Sequence, residues 1–193
     1  PTAGALTEDD STTTVTGTLT GTDPEGDTLT YSIAGSIEVD GIYTATGTYG
    51  TLVVNKTTGE YTYTLDNTDA DTNGIAVGTT ADETFTVRTT DGTSRGSQVL
   101  TITITGTNDT PVLTVPTGGA LTEGASANTV TDTLSASDAE AGSLTFSVVG
   151  ETASEGVYSV TGTYGSISLN ASTGAYTYTL NNSDADTVAL TSA

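Results

Sequence analysis

The chain contains no cysteine, histidine, methionine or tryptophan. Without cysteine there can be neither a disulfide nor a thiolate metal site, and cysteine usage says nothing about redox compartment. Without histidine, Ser-His-Asp and Cys-His catalysis are excluded, as are zinc centres of the usual ligand set. Basic residues are almost missing too: three Lys and Arg stand against 24 Asp and Glu, for a net charge of −21. That balance excludes nucleic acid as a partner, because a phosphate backbone is gripped by clustered Lys and Arg. It argues equally against anionic membrane surfaces. No apolar run approaches the ~18 residues of a membrane-spanning helix. There is no basic-then-apolar leader, and the chain opens on Pro1, so the expectation is a piece of a longer protein; the Cys-free, acidic, Thr-rich balance suits an exported surface protein.

What remains is a strand-and-turn composition. Threonine fills about a quarter of the chain, and β-branched residues suit pleated, half-buried surfaces. Short alternating runs separated by turn signals predict an all-β sandwich. Leu29, Tyr31 and Ile33 alternate with Thr30 and Ser32, which puts three apolar residues on one face. The turn Lys56-Thr57-Thr58-Gly59 joins Tyr49–Asn55 to Glu60–Leu65 in a hairpin, with Tyr61, Tyr63 and Leu65 sharing a face. Their alternation with threonine assigns the tyrosines to the core rather than to sugar stacking. An acidic loop runs from Asp66 to Asp82. Phe85, Val87 and Thr89 then alternate, and Val99–Thr105 closes the series. No stretch keeps a 3.6-residue period long enough to be a helix.

The sequence then starts again. Gly119-Ala120-Leu121-Thr122-Glu123 repeats Gly4-Ala5-Leu6-Thr7-Glu8, an offset of 119 − 4 = 115 residues. Gly162-Thr163-Tyr164-Gly165 repeats Gly47–Gly50, and Tyr176–Leu180 repeats Tyr61–Leu65. Residues 1–107 therefore read as one sandwich, 108–115 as a linker, and 116–193 as a second sandwich. The second lacks counterparts of the strands at 84–91 and 98–106. Such a domain would expose core and strand edges. It would be completed by continuation of the chain or by strands from a neighbouring molecule.

Gly47-Thr48-Tyr49-Gly50-Thr51-Leu52, Gly59–Asn67, Phe85-Thr86-Val87, Thr90-Asp91-Gly92 and Ile104–Asp109 together resemble the VCBS repeats of giant bacterial surface adhesins of the RTX type. More distantly the chain is similar to cadherin domains. Asp23-Pro24-Glu25 resembles their Asp-x-Asp motif, and Asn108-Asp109-Thr110-Pro111 their Asn-Asp-x-Pro linker. The resemblance implies tandem Ig-like or cadherin-like domains on a bacterial cell surface, stiffened by calcium and serving adhesion or biofilm formation. The chain departs from the cadherin pattern in Ala139 and Glu140 after Asp138, and its second repeat has no match to Asp91.

Calcium takes six to eight oxygen ligands, from carboxylates, carbonyls, Asn side chains and water. A joint between domains would draw them from Glu8, Asp69 and Asp71, from Asn108 and Asp109 in the linker, and from Asp138 and Glu140. The other end of the first repeat offers Asp23, Glu25 and Asp91 for a linker from an upstream repeat. Each acid taken singly also reads as a turn former. As a set, carboxylates gathered at a short linker repel one another, and a divalent ion makes the gathering favourable.

The reading is thus a non-enzymatic, calcium-stiffened extender module of a secreted adhesin. Its partners would be neighbouring repeats, and surface glycans or proteins reached through other domains. The alternatives are a filament or sheath subunit built by strand exchange, a glycan-binding module, and an accessory domain of a secreted carbohydrate-active enzyme.

Overall fold

The structure, a computed structural model, describes residues 2–140 and 142–190. The chain divides into two units, Pro1–Asp109 and Thr110–Ala193, and both are built from strands, as the alternation predicts.

The first unit contains β1 (Thr2–Thr7), β2 (Thr14–Thr18), β3 (Thr30–Ile33), β4 (Glu38–Val39), β5 (Ile42–Thr46), β6 (Gly50–Asn55), β7 (Glu60–Leu65), the single-turn helix α1 (Ala70–Asn73), β8 (Thr80–Thr90) and β9 (Arg95–Thr105). They form two sheets. One has the order β1-β9-β8-β3 and the other β2-β7-β6-β5-β4. All these pairings are antiparallel except that of β1 with β9, which is parallel and aligns Leu6 with Ile104.

Period-two patterning decides which face of each strand is dry. In β6, Leu52 and Val54 are fully buried. In β7, Tyr61, Tyr63 and Leu65 are buried, as their spacing predicts. Facing them are Phe85 and Val87 of β8 and Leu100, Ile102 and Ile104 of β9. The rings of Tyr63 and Phe85 meet at 6.0 Å between centroids, inclined at 56°, within the range that aromatic pairs prefer. Each such side chain contributes about 1.5–3 kcal/mol on burial, so the β8–β9 hairpin supplies much of what closes the sandwich.

The β6–β7 turn follows from its residues. Asn55 Oδ1 accepts from the amides of Thr57 and Thr58 at 2.9 and 3.0 Å. Gly59 then takes φ +73°, a left-handed value that favours glycine. Two features differ from the sequence reading. β8 begins at Thr80, inside the stretch read as an acidic loop, and α1 lies in the rest of that loop. The helix has no amphipathic period. Asp69 caps it, accepting from the Asp71 amide at 2.8 Å.

The second unit contains β10 (Val112–Thr114), β11 (Thr129–Thr133), β12 (Ser135–Ser137), β13 (Val157–Thr161), β14 (Gly165–Asn170), β15 (Ala175–Leu180) and the single-turn helix α2 (Ala185–Val188). β11-β15-β14-β13 form one sheet and β10-β12 a two-stranded ribbon. Residues 117–122, the counterpart of β1, and 145–148, the counterpart of β3, form no strand. The first unit shows why. There β1 has only β9 to pair with and β3 only β8, and no strand occupies those two positions among the described residues of the second unit. Among its described residues, the buried hydrophobic ones are Leu169 and Leu180. Ile167 and Tyr178 are only half-buried, whereas their counterparts Leu52 and Tyr63 have no exposed surface.

Candidate functional site

At the end of the first unit where β9 runs out, β1 and β9 finish side by side because they are parallel. Glu8 follows β1 directly. Its amide donates to the Thr105 carbonyl at 2.9 Å, and its carboxylate Oε2 accepts from the Thr107 amide at 2.9 Å. The side chain is only 1% exposed. The structure thus brings Glu8 to the segment carrying Asn108 and Asp109. The Asn108 side-chain amide donates to the Asp109 carbonyl at 2.5 Å, which folds the start of the linker back on itself.

The loop between β7 and β8 belongs to the same end. Gly78 and Gly106 tie it to the exit of β9, the Gly78 amide donating to the Gly106 carbonyl and the Gly106 amide to that of Thr79, each at 3.0 Å. Asp69 and Asp71 sit on this loop at the start of α1, Asp69 half-buried and Asp71 exposed. Asp69 is engaged as a helix cap, so one of its oxygens already serves the backbone.

At the opposite end, Asp23 Oδ1 accepts from the amides of Glu25 and Asp27 at 3.0 Å each. Asp91 Oδ1 accepts from Thr93 and Ser94 at 2.6 Å each. The Ser94 and then the Thr93 amide hold the Asp91 carboxyl below its usual range, and the Asp23 side chain lies within hydrogen-bonding reach of it. Asp23 and Asp91 therefore do come together, while Glu25 is exposed beside them. In the second unit Asp138 and Glu140 follow β12, both half-buried. They stand at the positions of Asp23 and Glu25 in the repeat. Among the described residues no three acidic side chains are grouped closely enough to hold a metal ion by themselves.

One carboxylate that matters was not among the sequence candidates. Glu83, on β8, is 6% exposed. It accepts from the Thr48 amide at 2.6 Å, the Tyr49 amide at 3.0 Å and the Tyr63 hydroxyl at 2.9 Å. These bonds tie β8 to the turn before β6 across the core. On β8 Glu83 shares the inward face with Ala81, Phe85 and Val87, but an acid beside Asp82 at the end of an acidic stretch gives no sign of that face in the sequence. Lys56, the only lysine, pairs with Glu38 at 2.6 Å on the surface.

The sequence profile of the bacterial cadherin-like domain family matches residues 1–106, over half of the chain, and the chain belongs to that family. Such domains are extracellular, adhesion-type modules rather than enzymes as a rule. No curated protein matches the chain. Among solved structures it is similar to extracellular cadherin domains 1–5 of protocadherin gamma B2, at 19% identity and a TM-score of 0.47, covering 92% of this chain and 30% of that one. It is also similar to human protocadherin-24 EC1-2, at 20% identity and a TM-score of 0.39, covering 95% and 78%. A third likeness is to the protocadherin gamma B4 extracellular domain, at 17% identity and a TM-score of 0.42, covering 95% and 29%. The chain thus spans less than a third of the length of the first of these.

Proposed function

We propose that this chain is an extender module of a secreted bacterial surface adhesin, made stiff by calcium and serving adhesion or biofilm formation. The observation that carries the reading is Glu8. Its carboxylate, at the end of β1, is held almost completely out of water against the segment where β9 gives way to Asn108 and Asp109. Ionised carboxylates are rarely buried unless their oxygens have strong partners. The donors proposed for this role, Glu8, Asp69, Asp71, Asn108, Asp109, Asp138 and Glu140, all offer oxygen. That set fits a hard cation such as calcium and offers nothing to metals that prefer nitrogen or sulfur. Asp23, Glu25 and Asp91 would serve a preceding repeat in the same way.

Bound there, calcium would supply the positive charge that a chain of net charge −21 lacks and so relieve its self-repulsion. The chain's own residues do the rest. Thr107 orients Glu8, Asn108 curls the linker, and the Asp69 cap sets the loop that carries Asp71.

Calcium titration followed by calorimetry tests this. The full chain should bind calcium with a measurable affinity and melt at a higher temperature when loaded, whereas a Glu8→Gln, Asp109→Asn double variant should bind at least about ten-fold more weakly. Equal melting temperatures with calcium and with chelator would refute the reading.

A further inference from the structure

Basic residues are few in this chain, three against 24 acids. Lys56 takes one of those acids, pairing with Glu38 at 2.6 Å. The other two, Arg88 and Arg95, form no ion pair with any described residue. They stand beside each other instead. The inward residues of β8 are Phe85 and Val87, and those of β9 are Leu100, Ile102 and Ile104. Period two therefore turns Arg88 and Arg95 to the outer face of the same sheet. In the β8–β9 register Arg88 is opposite Ser97 and Arg95 is opposite Thr90. The arginines are thus diagonal neighbours, their backbones about 7–8 Å apart, and side chains of this length can converge on one small group. Neither belongs to the core: Arg88 is half-buried and Arg95 exposed.

The acids nearest along the strands are engaged elsewhere. Asp91 Oδ1 accepts from the Thr93 and Ser94 amides at 2.6 Å each. Asp82, further down the same face, accepts from the Thr103 hydroxyl at 2.7 Å. Around the pair the sheet offers small alcohols. Arg88 lies in one row between Ser97 on β9 and Ser32 on β3, and Thr86 precedes it on the same face. The hydroxyls of Ser32, Ser97 and Thr86 make no hydrogen bond to a described residue.

We infer that this patch binds an anionic saccharide, whose carboxylate or sulfate bridges the Arg88 and Arg95 guanidinium groups while its hydroxyls meet Ser32, Ser97 and Thr86. Guanidinium is the side chain best shaped for bidentate capture of an oxyanion, and a bound anion relieves the repulsion between the two arginines. Serine and threonine hydroxyls both donate and accept, as sugar hydroxyls do. A protein partner fits less well. Protein interfaces have an apolar core, and the exposed apolar side chain on this patch is Val99. A second copy would bring another net charge of −21 against the first. The same field disfavours a densely charged polymer, so the ligand is a sugar chain with one acidic unit between neutral ones. The site uses two cations and none of the acids assigned to calcium, so it is independent of that reading.

The test uses the full chain with excess chelator, so that no divalent ion bridges protein and sugar. The probes are a trisaccharide with a central uronate, its methyl ester, and the same trisaccharide with a sulfate ester in place of the carboxylate, each followed by NMR. An anionic trisaccharide should bind saturably and shift the amides of Ser32, Arg88 and Ser97, and the tighter of the two identifies the anion. The methyl ester should bind at least about ten-fold more weakly, since hydrogen bonds to a charged acceptor are the strong ones. An Arg88→Gln, Arg95→Gln variant should lose at least about ten-fold in affinity with its melting temperature kept, because surface substitutions change stability little. Arg88→Lys, Arg95→Lys should recover only part of the loss, since lysine cannot bind in bidentate fashion. Equal affinity for acid and ester would overturn the proposal, as would undiminished binding by the glutamine variant or failure of both anionic probes to shift those amides. Sodium sulfate competing as tightly as the sugars would overturn it in favour of a simple anion site. Shifts that grow with the chain's own concentration in the absence of sugar would overturn it in favour of a second copy as the occupant.

Discussion

Glu83 shows how one side chain can serve as both core and connector. Its position on β8 belongs to the inward face, where an acid is normally costly, and three donors make it acceptable there. Glu83→Gln keeps an acceptor but loses the charge, and should lower the first unit's unfolding free energy by about 2 kcal/mol, read from the midpoint of a denaturant titration. Tyr63 gives the same contact a pH signature. Burial first, then its bond to Glu83 and the charge of that residue, push the hydroxyl far above its ordinary value. A raised folded value means the stabilisation is complete below about pH 10, where the unfolded tyrosine ionises, and is lost as pH climbs further. Denaturation midpoints should therefore fall above about pH 10 in the native chain, and less steeply in Tyr63→Phe. At the acid end the sign reverses. Asp91 is held low by the Ser94 and Thr93 amides and Asp66 by the Thr68 hydroxyl and amide. Their contributions are present above about pH 4 and are lost as pH falls below it.

At the level of elements, the hairpins were readable because patterning and turn chemistry agree. Tyr61, Tyr63 and Leu65 alternate, and the Asn55–Gly59 turn is written in residues that favour it. The start of β8 was not readable, because Asp82 and Glu83 look like loop residues until the donors facing Glu83 are known. β1 was visible only as a repeated word, Gly4-Ala5-Leu6-Thr7-Glu8. Its strand state comes from a parallel partner about a hundred residues away, which local propensity cannot convey. The same dependence explains why segments that mirror β1 and β3 form no strand in the second unit. Amide exchange should follow this division: strongly protected amides in β6–β9, and rapid exchange across 117–122 and 145–148. Comparable protection in 145–148 and in β3 would contradict it. Ile102→Ala, which empties a fully buried position on β9, should destabilise the first unit by about 2–5 kcal/mol, seen as a lower melting temperature of that unit.

For the whole molecule, the fold class was open to a reader of the sequence, since period-two patterning is a property of the chain itself. The candidate ligands were open only in part. Asp23, Asp69 and Asp91 were visible as acids. Each also has a local occupation, capping a turn or a helix, that spacing alone could not separate from metal binding. Glu8 with Asn108 and Asp109 was the reverse case. They lie about a hundred positions apart in the sequence, and the parallel β1–β9 ladder carries them to one end. The central claim is that oxygens at that end gather calcium and thereby stiffen the string of domains. The most direct measurement is small-angle X-ray scattering of the full chain at fixed ionic strength, with calcium and then with chelator. The account predicts a longer maximum dimension and a narrower distribution of shapes with calcium, reversed on chelation and missing in the Glu8→Gln, Asp109→Asn variant. Superimposable scattering curves with and without calcium would contradict it.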